Sequence, residues 1–354
     1  MPTCLSYEEL RAGDGGSGVA DVTSTAAAAP FATVPGMRAV VQTAYGGPEV
    51  VRLTDVERPV AGPRDLLVRV HATTVNRTDA AYRAGTPAFL RVVRPRGRTL
   101  GTEYAGVVEA VGAEVTEYAA GDRVFGYHEG GFGAHAEYVA VEADGFLAPI
   151  PAGLTFAQAA PATEGAHYAQ SFVRRARIRP GMTVLVNGAT GGIGSAAVQL
   201  LAAMDVAVTA VCATPHVELV RSLGAGHVID YTAEDFTRSG DGYDAVFDAV
   251  GRATFGRCRR LLRPGGVYVS SELGPFAQNL GLALVTPLLR RRRVVFPVPL
   301  QRREMIEQLR DLLASGEFRP VIDRHYPLER IVEAHRYVDT GTKVGNVVID
   351  VVPE

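Results

Sequence analysis

Asn187-Gly188-Ala189-Thr190-Gly191-Gly192-Ile193-Gly194 stands between a short apolar run, residues 183–187, and an amphipathic stretch, residues 192–203. The run has the length and composition of a buried strand, and the stretch has the length of a helix. The turn between them reads Ala189-x-Gly191-x-x-Gly194, the dinucleotide-binding fingerprint with its first glycine relaxed to alanine. Glycine at 191 lets the backbone approach a pyrophosphate, and glycine at 194 lets the helix close on the strand. The helix N-terminus then offers free N–H groups to the anion. Ala189, Thr190, Gly191, Gly192 and Ile193 are the expected pyrophosphate contacts.

Working outward, residues 206–212 read as a strand and 216–223 as a helix. Further strands follow at 227–230, 244–250 and 266–271. This alternation predicts a doubly wound parallel sheet, an α/β fold of Rossmann type. Ligands lie at the carboxyl ends of such strands, so Val250 and Ser270 are expected beside the nicotinamide half of a dinucleotide. The second strand ends Ala210-Val211-Cys212-Ala213-Thr214-Pro215-His216, without the acid that would hold a ribose 2′-hydroxyl and repel a 2′-phosphate. Thr214, His216 and Arg221 are candidate phosphate donors, and Tyr231 can flank the adenosine. NADPH is expected ahead of NADH.

The rest of the chain has a different texture. Residues 1–36, with Gly13-Asp14-Gly15-Gly16-Ser17-Gly18 and Ala26-Ala27-Ala28-Ala29, offer little to bury and are expected to be a disordered extension, with Met37 a candidate natural start. From 37 to about 160, short β-runs are broken by glycine and proline, which predicts a β-rich domain. The tail, 300–354, has helices near 303–314 and 328–339 and a strand at 346–351. It is expected to rejoin that β-rich domain, leaving 161–299 as the dinucleotide-binding domain.

Composition excludes several functions. A net charge of −2 removes the basic footprint of a nucleic-acid binder. Cys4, Cys212 and Cys258 are too scattered for a disulfide framework or a zinc lobe. The apolar run at 280–289 contains Pro287 and is too short to span a bilayer, and no signal-peptide layout precedes it, so a cytoplasmic protein is expected. Lys343 is the single lysine.

Several blocks in fixed order resemble the medium-chain dehydrogenase/reductase superfamily, in its zinc-free quinone oxidoreductase-like branch. They are Val75-Asn76-Arg77-Thr78-Asp79-x-x-Tyr82-Arg83-x-Gly85, Gly101-Thr102-Glu103-Tyr104-Ala105-Gly106, Gly121-Asp122-Arg123-Val124, Leu262-Arg263-Pro264-Gly265-Gly266 and Gly345-Asn346-Val347-Val348. The resemblance implies a β-rich GroES-like catalytic domain closing on the Rossmann domain over a small-molecule substrate. Metal-ligand positions of zinc-dependent relatives fall on Asn76 and Thr102, with Glu164 near the third, and this set is a poor one for zinc. Without a Lewis acid, the chemistry implied is hydride delivery to a quinone or an α,β-unsaturated carbonyl.

Asn76 is the first candidate donor to the substrate oxygen and Tyr82 the second, with Asp79 orienting the loop. Tyr104, His167 and Tyr168 are further candidates for the cleft wall. Asn346 resembles a C-terminal cofactor contact. Val294-Val295-Phe296 is expected to pair across a two-fold axis in a homodimer. A reductase dedicated to one biosynthetic intermediate and a non-catalytic NADPH-binding protein remain the alternatives.

Overall fold

In chain order the computed structural model begins with β1 (Gly36–Gln42), β2 (Val51–Glu57), the long β3 (Asp65–Val75) and helix α1 (Arg77–Ala84). Then come β4 (Arg98–Thr99), β5 (Glu103–Val111), β6 (Arg123–Tyr127), β7 (Tyr138–Glu142) and β8 (Leu147–Pro149). Helices α2 (Phe156–Ala159) and α3 (Glu164–Ala176) lead to β9 (Thr183–Asn187), α4 (Gly192–Ala202), β10 (Ala207–Cys212), α5 (Val217–Ser222) and β11 (His227–Asp230). The series continues with β12 (Tyr243–Asp248), α6 (Phe255–Cys258), β13 (Leu262–Ser270), α7 (Gln278–Val285) and β14 (Arg293–Val295). The tail supplies α8 (Arg303–Ser315), β15 (Ile322–Pro327), α9 (Ile331–Asp339) and β16 (Asn346–Asp350). The structure describes residues 36–86, 91, 98–128, 131–240, 242–289, 291–296 and 301–352.

Strands β9 to β14 form one sheet in the order β11-β10-β9-β12-β13-β14, with every pair parallel. Both faces are buried. Val184 and Val186 pack into one layer with Ala197, Leu201, Phe172 and Phe247, while Leu185 packs into the other with Val211, Ile229, Val246 and Tyr268. Burial on both sides is why these strands are written as nearly unbroken apolar runs. The strand order reverses between β9 and β12, so their carboxyl ends open the crevice that a dinucleotide uses in this Rossmann topology.

The β-rich part is a seven-stranded sheet, β15-β16-β3-β5-β6-β8 with β7 also on β3, and a small sheet β2-β1-β4. The C-terminal strand β16 lies antiparallel to β3, and just before it the Gly345 N–H donates to the Thr190 carbonyl at 2.6 Å. The tail therefore ties the β-rich sheet to the phosphate loop.

Some boundaries differ from expectation for local reasons. Gly36, assigned to the extension, starts β1, and residues 1–35 lie outside the described residues. The helix expected at 216–223 begins as a 3-10 turn at Thr214–His216 around Pro215, and α5 covers only Val217–Ser222. Strand β12 stops at Asp248, because that carboxylate accepts the N–H groups of Val250, Gly251 and Ala253 and turns the chain. Helix α3 and edge strand β15 are elements that the periodicity did not reveal.

Candidate active site

The phosphate loop has the shape its sequence demands. Gly188 has φ of 80°, and a Cβ there would strike Val250 Cγ2 at 1.8 Å. A Cβ on Gly194 would lie 2.0 Å from the Gly188 carbonyl oxygen, so only glycine lets α4 sit this close. Gly191 is different. It is the N-cap of α4 with an ordinary φ of −75°, has no side-chain cap, and a Cβ there would meet nothing nearer than 3.7 Å. The loop thus presents an open cradle with an uncapped helix N-terminus behind it, and its residues fit a pyrophosphate. Thr190, Gly192 and Ile193 line it, each half-buried. Ala189 does not: it is fully buried, and its N–H donates to the Val211 carbonyl at 3.1 Å. Its work is to close the loop on β10.

At the adenosine end the structure supplies an acid that β10 lacks. Register places Cys212 beside Asp230, at the end of β11. The Asp230 carboxylate accepts from the Thr214 hydroxyl at 2.6 Å and from the Thr232 hydroxyl at 2.6 Å and N–H at 2.9 Å. The Thr214 and Thr232 hydroxyls hold the half-buried Asp230 below the usual carboxylate range. Thr214, expected as a free donor, is therefore committed to a neighbour. Arg221 pairs with Glu218 at 2.6 Å on an exposed surface, while half-buried His216 and exposed Tyr231 lie beside the same strand ends.

At the switch point, Asn187 Nδ2 donates to Asp248 Oδ1 at 2.9 Å, joining the carboxyl ends of β9 and β12. Val250 lies against Gly188. Ser270 is buried, and its Oγ accepts the Glu272 N–H, so it shapes the end of β13. The Asn346 amide donates to the Val321 carbonyl at 3.0 Å, and its Oδ1 lies against Gly192. It braces the loop from the C-terminal side.

Opposite these strand ends stands the first turn of α1. Asn76 is its N-cap: Oδ1 accepts the Asp79 N–H at 2.8 Å, while Asp79 Oδ2 accepts the Asn76 N–H at 3.1 Å. This reciprocal capping box is why Asn76 and Asp79 stand three apart. The Asn76 amide nitrogen donates to Thr102 Oγ1 at 2.9 Å and lies within hydrogen-bonding reach of Glu103. Both ends of that amide are thus engaged, and Asn76 builds the cleft floor. Asp79 is wholly buried, and burial pushes its carboxyl up to about 8. His135 Nε2, 3.8 Å away, contacts the Thr74 carbonyl, and burial pushes it down to about 4. Tyr82 is half-buried, edge-on to Phe132 at 4.6 Å, as a wall of α1. Tyr104 and His167 are both enclosed, Tyr104 in the β-rich core and His167 among Tyr127, Phe146 and Tyr168.

Beneath α1 lies a buried polar cluster that sequence reasoning missed. Glu103 accepts from the hydroxyls of Thr74 (2.5 Å) and Thr163 (2.9 Å) and from the Glu164 N–H (2.7 Å). Glu164, at the start of α3, accepts from the Thr78 hydroxyl. Burial and the Glu103 charge push the Glu164 carboxyl well up. Lys343 donates to the Gly345 carbonyl at 2.5 Å, and its charge acts on Glu164 and Glu103. At the expected metal positions, then, an amide and a hydroxyl bond to each other. Among the described residues no group of three His, Cys, Asp or Glu side chains is placed to hold a metal ion, and this donor set does not fit a catalytic zinc.

Known proteins share this architecture. The family described as "Alcohol dehydrogenase GroES-like domain" matches residues 62–152, and "Zinc-binding dehydrogenase" matches 223–349. The chain is 34% identical over 349 residues to 2-methylene-furan-3-one reductase of Solanum lycopersicum, covering 94% of this chain and 84% of that protein. It is 33% identical to the chloroplastic NADPH-dependent alkenal/one oxidoreductase of Arabidopsis thaliana, covering 90% and 80%. The solved structure of the quinone oxidoreductase from Coxiella burnetii superimposes with a TM-score of 0.82 at 27% identity, covering 90% of this chain and all of that one.

Proposed function

Because the chain belongs to the zinc-free, quinone oxidoreductase-like branch of the medium-chain dehydrogenase/reductase superfamily, we propose that it is an NADPH-dependent reductase of α,β-unsaturated carbonyl compounds and quinones. Oxidoreductase chemistry of the quinone/enone type is the activity of this branch, and the acceptor and the cofactor are our assignment. The observation that carries it is the open phosphate cradle at the β9/β12 switch point. The first turn of α1, tied to Glu272 by Arg77 and to Glu164 by Thr78, carries Asn76 bonded to Thr102, a donor set that does not fit a metal.

When bound, the reduced nicotinamide supplies a hydride. The chain's residues do the rest. Gly191 and the start of α4 hold the pyrophosphate, Asn346 and Gly345 brace the loop, and Val250 flanks the strand ends. Asn76 and Asp79 fix the first turn of α1, and Tyr82 faces the substrate oxygen as its donor. An acceptor that spreads negative charge onto an oxygen needs only such donors, each worth about 10²–10³ in rate where the geometry is preorganised. NADPH is favoured by the cofactor named for the Arabidopsis relative and by His216 and Arg221 beside the ribose end.

We divide the chain, on the same reading, into a catalytic domain of 37–160 and 300–354 and a dinucleotide domain of 161–299. The homodimer we assign forms along β14, one of the two edge strands of the parallel sheet, next to exposed Leu280, Leu284 and Leu288. The test is anaerobic oxidation of NADPH against a panel of enones, enals and naphthoquinones. Turnover with an acceptor of either class is expected. Turnover only with simple alcohols and NADP⁺ contradicts the proposal, as does tight NADPH binding with no turnover on the whole panel.

A further inference from the structure

Reduction of a carbon–carbon double bond needs a proton as well as a hydride, and the buried cluster under α1 is built to give one. Arg77 reaches Glu272 at 3.6 Å, which sets the first turn of α1 over the carboxyl end of β13. The half-buried Thr78 hydroxyl is on that turn and bonds to Glu164, which is 9% exposed. Behind Glu164 stands Glu103, satisfied by Thr74, Thr163 and the Glu164 N–H, while the chain's single lysine, Lys343, bonds to the Gly345 carbonyl. Buried Asp79 is a third carboxyl whose charge acts on the pair, and Lys343 acts on Glu103 and Glu164 through its charge. Glu103, with several donors, is the natural seat of the negative charge, and Glu164 keeps a proton.

We propose that Thr78 and Glu164 form the proton-delivery line to the carbon next to the substrate carbonyl. This rests on the reductase reading above. The hydride adds its electron pair to the β-carbon as the C=C π bond opens, and the π electrons move onto the carbonyl oxygen as an enolate. The Thr78 hydroxyl, which donates to Glu164 in this structure, turns to the substrate: its proton forms the new α-carbon C–H bond, while the Glu164 carboxyl proton replaces it on Thr78. Glu164 is left as a carboxylate and takes a proton from solvent when product leaves. In this line Thr78 meets the reacting carbon, whereas Glu164 acts through Thr78.

The experiment uses the full chain with NADPH in D₂O and two acceptors. One is 2-methylcyclohex-2-enone, whose α-carbon must be protonated. The other is 1,4-naphthoquinone, which needs protons only on oxygen. Wild-type enzyme is expected to place solvent deuterium on one face of the α-carbon. In Thr78→Val and Glu164→Gln the ratio of enone to quinone turnover is expected to fall by about 10²-fold, with loss of α-face selectivity and partial return in Glu164→Asp. Variants that bind NADPH yet keep the wild-type ratio and face selectivity overturn the proposal. Wild-type delivery to both faces overturns it without any variant, so a misfolded variant does not shelter it. Turnover of the quinone alone overturns this inference and leaves the reductase reading standing. Turnover of neither acceptor refutes that reading instead.

Discussion

Replacing Gly191 and Gly194 separately by alanine distinguishes a ligand-binding cradle from a merely tight turn. At Gly191 φ is −75°, and the new methyl has its nearest neighbour at 3.7 Å, so Gly191→Ala is expected to fold with wild-type stability. The methyl instead occupies the space in which a phosphate must approach the N-terminus of α4. Losing one or two hydrogen bonds from backbone N–H to a charged phosphate costs about 1.5–3 kcal/mol, or about 10- to 150-fold in the dissociation constant. At Gly194 the methyl meets the Gly188 carbonyl oxygen at 2.0 Å and its carbon at 2.8 Å, both backbone, so α4 must shift bodily. Overpacking of this kind costs about 1–3 kcal/mol of stability, and Gly194→Ala is expected to lose both stability and affinity. Urea unfolding gives the first quantity, and fluorescence titration with NADPH the second. Gly191→Ala that binds NADPH as tightly as wild type would refute the placement of a phosphate against that residue.

Three other perturbations follow from the same coordinates. Arg83 is buried and holds Asp339, 37% exposed, through one terminal nitrogen at 2.7 and 2.6 Å. Asp339→Asn should cost about 2–4 kcal/mol in urea unfolding, under the limit for a fully buried pair, and should add much less in an Arg83→Met background. His167 and His335 are buried with ring nitrogens that bond to no described residue, and burial holds His167 down to about 4 and His335 well below its ordinary value. The unfolded chain then binds more protons below about pH 6.5, so stability falls as pH drops from there towards 4, by up to about 1.4 kcal/mol per pH unit for each histidine. Melting curves at pH 7 and 5 should show a smaller acid loss in His335→Leu. At the ribose end, Asp230→Asn removes the carboxylate bonded to Thr214. It should improve binding of NADPH relative to NADH, with a gain that shrinks as salt is raised, and an unchanged ratio places the 2′-phosphate elsewhere.

What could be read in advance was whatever is local. The loop at 187–194 declares itself because strand, glycines and helix are contiguous, and the β9–β13 alternation follows from burial on both faces. Asp230 was missed because it reaches Thr214 through sheet register between strands, and the end of β10 alone carries no trace of it. Glu103, Glu164 and Lys343 converge from three distant segments, so no spacing announces them. Helix α3 lacked a start signal for a related reason: Thr163, at its N-cap, makes no capping bond and gives its hydroxyl to Glu103 instead. Asn76 was identified as a cleft residue from resemblance. Its capping partner Asp79 and its bond to Thr102 show how it holds the floor.

The most direct test of hydride transfer is an anaerobic incubation of the protein with an enone and NADPH deuterated at the nicotinamide C4, with the product read by mass spectrometry. Deuterium fixed on the carbon β to the carbonyl is the expected result. Consumption of NADPH with no label on that carbon would contradict it, and so would no consumption despite tight binding of the cofactor.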